Sequence, residues 1–173
     1  SLNPLPESKR GGIDGGFGNI GPGDGGTEMI VVSDTTPLIM LMQVGRLNIL
    51  HSLFGEVCIP KAVFSEVTGN ETFENEADII RNSEYIKVVM VRDQRQVEFL
   101  QRATGLDLGE SEAIIYADEI QADLLLLDEA AGRKVAQNMN LPITGSIGLL
   151  IKAFKSGIIT ADEADDAFAR IKR

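Results

Sequence analysis

Residues 124–136 read Leu-Leu-Leu-Leu-Asp-Glu-Ala-Ala-Gly-Arg-Lys-Val-Ala. Four consecutive leucines between polar flanks are the pattern of a strand buried on both faces, as in a parallel sheet. Asp128 follows at once. Ala131, Val135 and Met139 then recur every fourth residue, which predicts a helix with that stripe in the core. The same order of strand, carboxylate and helix occurs upstream. Met29–Ser33 (MIVVS) reads as a buried strand, and Asp34 comes next. Thr36 and Pro37 then read as an N-cap and first helical residue. That helix runs through Leu38–Val44 and breaks at Gly45.

The same alternation fills the chain between and beyond these stretches. Strands are predicted at about 56–59, 86–91 and 141–143. Helices are predicted at about 47–54, 60–68, 73–82, 94–104 and 109–120. A helix after residue 143 carries Ile147, Leu150, Ile151 and Phe154 on one stripe. Thr160 and Glu163 form a capping box for a last helix that buries Ala164, Ala167, Phe168 and Ile171. Strands alternating with helices imply a mostly parallel α/β sheet with helices on both faces.

Composition changes at Met29. Residues 1–28 hold nine Gly and three Pro, too little apolar area to offset the entropy of ordering them. They read as a flexible Gly/Pro-rich leader added ahead of the natural chain, with the domain at 29–173. Gly16–Gly21 matches GxGxxG, but no strand precedes it and Pro22-Gly23 follows, so it is not a dinucleotide fingerprint. The chain has 173 residues, one Cys, one His and a formal charge of −10. Cys58 and His51 are too few for a disulfide framework, a Cys-rich or multi-His metal site, and leave only His51 for a His-based triad. The Cys usage fits a reducing cytoplasm. No run approaches a membrane span. A chain this acidic meets nucleic acid only through a local basic patch or bridging cations.

In an open α/β sheet, ligands bind at the carboxyl ends of the strands. Asp34 and Asp128 each follow a strand directly, so parallel, neighbouring strands place both on one edge. Each also has a local reading, Asp128 as a helix N-cap and Asp34 in a turn. Glu110 and Glu112 lie at the start of a helix, where Asp107 with Glu110 fits a capping box. Glu66 reads locally as the solvated side of a helix that buries Val63 and Val67. Carboxylates converging at one edge repel unless a cation neutralises them. With no His or Cys cluster, that cation is a hard one such as Mg²⁺ or Mn²⁺. A cation held by Asp at such an edge points to phosphate chemistry.

Five segments together carry a resemblance: SDTTPLI (33–39), PKAVFSEV (60–67), LGESEAIIYA (108–117), LLLLDEAAGRKVA (124–136) and PITGSIGLLIKAFKSGII (142–159). In this order and spacing they resemble the PIN domain, and within it the branch containing VapC-type toxins of toxin–antitoxin pairs. The resemblance implies a three-layer α/β/α sandwich around a roughly five-stranded sheet. It also implies a Mg²⁺- or Mn²⁺-dependent endoribonuclease acting in the cytoplasm as a homodimer, often with a small antitoxin partner. Carried across residue by residue, Asp34, Glu66, Glu112 and Asp128 are the catalytic, metal-binding acids. Glu110 competes with Glu112 for the third position. Thr35, Thr36 and Ser146 are supporting hydroxyls. The third acid here is Glu where Asp is commoner, and its longer side chain alters the metal geometry.

Residues 1–28 hold four acids and two bases, so the remainder carries −8. Candidate phosphate contacts are Arg133 and Lys134, with Arg92, Arg95, Lys152 and Lys155 as further choices. The alternative function is a catalytically weak PIN-like module that binds RNA or protein. A phosphotransfer protein of similar topology is disfavoured. Asp34-Thr35-Thr36 lacks the Asp-x-Asp of haloacid-dehalogenase-like phosphatases, and the chain lacks the acidic pair and late Lys of a receiver.

Overall fold

The computed structural model describes residues 29–171. The predicted leader, with its GxGxxG match, lies outside the described residues. Five strands run β1 (Val31–Ser33), β2 (Val57–Pro60), β3 (Ile86–Val89), β4 (Leu124–Leu126) and β5 (Ile143–Thr144). Their order across the sheet is β3-β2-β1-β4-β5, and every pairing is parallel. Nine α-helices accompany them among the described residues: α1 (Thr35–Gln43), α2 (Asn48–Phe54), α3 (Lys61–Thr68), α4 (Glu74–Asn82), α5 (Gln94–Thr104), α6 (Leu108–Glu119), α7 (Ala130–Asn138), α8 (Ser146–Lys155) and α9 (Ala161–Ile171). This is the expected PIN-like α/β/α sandwich.

Side chains alternate across a strand, so each strand feeds two cores. Val31 and Leu126 pack with Leu38, Ile49, Leu149 and Ala167 from α1, α2, α8 and α9. Val32, Leu125 and Leu127 pack with Val97, Ile114 and Ala136 from α5, α6 and α7. Helix α6 is buried almost all round over Gly109–Ile115, because it lies between the sheet and the flanking α3, α5 and α7.

The chain leaves β1 for β2 and β3 on one side and returns to β4 and β5 on the other. The strand order therefore reverses between β1 and β4, where α/β sheets open their ligand crevice. Ser33 pairs with Leu126, and the Asp34 amide donates to the Leu126 carbonyl at 3.0 Å.

Several local expectations shift. Helix α1 begins at Thr35 with Asp34 as its N-cap, so Pro37 occupies the third helical position, where no intrahelical N–H bond is lost. The N-cap position of α7 is Glu129, not Asp128, and its side chain makes no capping bond. Its buried residues are Gly132 and Ala136, with Val135 and Met139 only half-buried and Ala131 exposed, because the small side chains face the sheet. Strand β5 lies at 143–144 rather than 141–143. On α8 the buried residues are Ser146, Leu149, Leu150 and Ala153. Ile147, Ile151 and Phe154 stay 51%, 41% and 46% exposed. Two apolar stripes run along that helix, and α1, α2 and α9 cover one. The Thr160–Glu163 capping box forms with both bonds at 3.1 Å.

Candidate active site

Three helices deliver acids to the β1–β4 crevice because each starts at the carboxyl edge of the sheet. Asp34 follows β1 directly and stays only 2% exposed. As the N-cap of α1 it makes no side-chain capping bond, so its carboxylate is left for other contacts. Glu66 reaches over from α3, and the Thr35 hydroxyl donates to its Oε2 at 2.8 Å. Glu110 enters from the first turn of α6, 4% exposed, and its buried Oε2 has no hydrogen-bond partner. A buried carboxylate oxygen without a partner is costly. Asp107 caps α6 by accepting from the Glu110 amide at 2.8 Å. The reciprocal half of the predicted capping box is absent among the described residues, which leaves the Glu110 side chain free.

Electrostatics tie these groups together. Burial, reinforced by the Asp107, Glu66 and Glu129 carboxylates, pushes Asp34 up to about 7, while the adjacent Thr35 backbone amide pulls the other way. Burial, with the Asp107, Glu129 and Asp34 charges, likewise holds Glu110 well above the usual carboxylate range. Asp107, read from the sequence only as a helix cap, and Glu129 are further members of this cluster. Glu129 also accepts from the Thr36 hydroxyl at 3.4 Å.

Glycines make room for this pocket. A Cβ on Gly109 would lie 2.9 Å from Glu66 Oε2 and 3.7 Å from Asp34 Oδ1. On Gly132 it would lie 2.8 Å from Glu110 Oε2 and 3.3 Å from each Leu127 methyl. Both glycines are helical, where Gly costs about 1 kcal/mol against Ala. A glycine inside the apolar period of 130–138 was the available sequence signal.

The remaining predicted acids sit differently. Asp128 accepts from the Ser146 amide at 2.7 Å and from its hydroxyl, which ties the end of β4 to the start of α8. Glu112 Oε1 accepts from the Ala62 amide at 3.2 Å, so it caps α3 from the neighbouring helix. Among the described residues no three His, Cys, Asp or Glu side chains stand close enough to hold a metal ion as they are. The donor set nevertheless fits a hard divalent cation. It is all oxygen, it contains an orphaned carboxylate oxygen, and glycines leave the space beside it open.

A PIN domain family model matches residues 30–173. The chain belongs to the PIN domain family. PIN domains are a nuclease-type fold. No curated protein matches the chain.

The basic residues of this PIN domain divide by position. Arg133, in the first turns of α7, is half-buried beside the crevice, whereas Lys134 is exposed. Arg92 is remote: its amide donates to Glu119 at the far end of α6, roughly 14 Å along the helix from Glu110. Exposed Arg95 opens α5 beside it. Lys152 lies over the Phe54 ring at 5.3 Å, and Lys155 ends α8. His51 binds the Gly55 carbonyl and stacks on Tyr85, and Cys58 is a half-buried free thiol in β2. No helix among the described residues is long and apolar enough to cross a membrane.

Proposed function

We propose that this protein is a metal-dependent endoribonuclease using Mg²⁺ or Mn²⁺, with Asp34, Glu66 and Glu110 as the acids that hold the ion. The observation that carries this is the buried, unpartnered Glu110 Oε2 in a crevice where burial and neighbouring carboxylates raise the proton affinity of Asp34 and Glu110. Such a cluster needs a compensating positive charge to ionise fully. When bound, the cation polarises the phosphate and activates water for attack. The protein's own groups position it. The Thr35 hydroxyl fixes Glu66, and the Ser146 amide and hydroxyl fix Asp128 at the rim. Glu110 is favoured over Glu112 as the third acid, because the Glu112 carboxylate is already engaged with α3.

A toxin role, a small antitoxin partner and a cytoplasmic homodimer belong to the same proposal and rest on the resemblance of the five segments. The exposed Ile147, Ile151 and Phe154 face of α8 offers such a partner an apolar surface. Residues 1–28 remain proposed as an added leader.

The test is cleavage of a labelled single-stranded RNA pool with Mg²⁺, Mn²⁺ or EDTA, using the parent, D34N, E66Q and E110Q. Metal-dependent cutting by the parent that each variant loses is the expected result. A folded parent that is inert with both metals yet still binds RNA would move the reading to a weakly catalytic binding module.

A further inference from the structure

Between the ends of β4 and β5 stands a guanidinium whose charge is not spent. Arg133 Nη1 donates to the Leu127 carbonyl at 3.1 Å. Arg133 makes no ion pair among the described residues, although the chain carries 26 acids. Its neighbour Asp128 is satisfied by Ser146 instead.

Gly145 explains how the two charged groups fit. Its φ of −104° and ψ of −177° are extended backbone, which any residue adopts, so conformation does not require glycine there. Space does. A Cβ would fall 2.6 Å from Asp128 Oδ1, 3.0 Å from Arg133 Nη1 and 3.6 Å from the Leu127 carbonyl oxygen. Glycine thus leaves a notch onto which a carboxylate and a guanidinium both open, without binding each other.

A phosphodiester entering a crevice lined by acids meets repulsion, and Arg133 places a positive charge at the notch to offset it. Guanidinium presents five donors in a planar fork suited to phosphate, and only one of these hydrogen-bonds among the described residues. We infer that Arg133 is the phosphate-binding residue of this site, its free donors holding a non-bridging oxygen of the RNA backbone beside Asp128 in the notch left by Gly145. Half-burial and the Leu127 bond pre-order the side chain, so little freedom is lost when phosphate binds. Exposed Lys134 has neither feature. This inference rests on the nuclease reading above.

The experiment measures binding of a labelled single-stranded RNA by fluorescence anisotropy across a salt series with Mg²⁺ present. It uses the D34N background to keep the RNA intact, and compares Arg133, R133K and R133Q. Removing one phosphate contact lowers the slope of log affinity against log salt by about 0.7 for a single strand. R133Q is expected to lose that amount, with affinity down about tenfold, while R133K keeps the slope at intermediate affinity. In the cleavage-competent chain, R133Q is expected to keep the Mn²⁺-induced rise in Tm, which a merely structural role would not guarantee. If R133Q binds and cleaves like the parent, the assignment of Arg133 falls and the nuclease reading stands. If the Mn²⁺ response is lost together with RNA binding, Arg133 is a structural pin and the inference also falls. If the parent neither binds nor cuts RNA with either metal, both readings fall. Should R133Q not fold, R133K decides, since a slope reduced despite the retained charge overturns the inference.

Discussion

Ser146 donates twice to Asp128, once from its backbone amide at 2.7 Å and once from its hydroxyl. Eighteen residues separate them in the chain. The pair joins the carboxyl end of β4 to the first turn of α8, so one carboxylate both completes a helix N-terminus and borders the crevice.

Removing that hydroxyl tests the joint directly. Ser146 is fully buried, and a hydrogen bond to a charged group contributes about 1.5–3 kcal/mol. S146A is expected to lower stability by about 2 kcal/mol in denaturant unfolding. Asp128 then loses one of its two tethers, and RNA cleavage is expected to fall with it. A variant as stable as the parent would show that the backbone amide alone positions Asp128.

Glu110 and Glu112 separate by substitution. E110Q is expected to abolish the Mn²⁺-induced rise in Tm, because it removes the orphaned carboxylate oxygen. E112Q keeps an acceptor for the Ala62 amide and loses only the charge at the α3 N-terminus, about 0.3–1 kcal/mol. It should retain metal response and cleavage. E112A removes the cap and is expected to cost about 1–2 kcal/mol. The opposite pattern, E112Q silent to metal and E110Q normal, would reassign the third acid.

Acidity gives a third expectation. In the unfolded chain Asp34 ionises near the ordinary carboxylate value of about 4, whereas in the fold it holds its proton to about 7. Glu110 shifts the same way. Between those values the native state binds more protons than the unfolded state, so the contribution of these groups to stability falls as pH rises. With EDTA present, D34N should gain on the parent in Tm as pH goes from about 5 to about 8. Added Mg²⁺ should narrow the gap at the higher pH by compensating the ionised parent. A D34N–parent difference constant with pH would rule this account out.

Gly132 offers a test with two opposing signs. Alanine in a helix interior gains about 1 kcal/mol over glycine, but here its Cβ meets Glu110 Oε2 at 2.8 Å and the buried Leu127 methyls at 3.3 Å. Leu127 is fixed by the core, so Glu110 must move. G132A is expected to cut RNA at least about tenfold more slowly while its Tm changes little. Unchanged cleavage would mean that Glu110 does not need its present position.

The sequence by itself determined the sheet. Short β-branched or leucine runs, three of them closed by Asp or Pro, alternate with helical periods and leave parallel α/β as the packing that buries them. It also determined that Asp34 and Asp128 lie just beyond strand ends, because the apolar run stops at each. Whether those acids meet was decided in three dimensions. The register sets Ser33 against Leu126, which places Asp34 level with Leu127 and Asp128 one residue beyond. Since successive residues on a strand face opposite sides, that one-residue offset directs Asp34 toward Glu110 and Asp128 toward Ser146.

Helix phase decided the rest. Glu110 and Glu112 are two residues apart, about 200° around a helix, so only one can face the crevice, and the packing of α6 against α3 selects Glu110. The apolar stripe of α8 was legible, but which part of it the neighbouring helices would cover was not, since Leu149 and Leu150 compete with Ile147 and Ile151 for one buried face. Asp107 was legible only as a helix cap, and Glu129 and the space-making glycines carried no local signal of a site. Their place in the site follows from contacts between segments distant in the chain, and no local pattern encodes a contact of that kind.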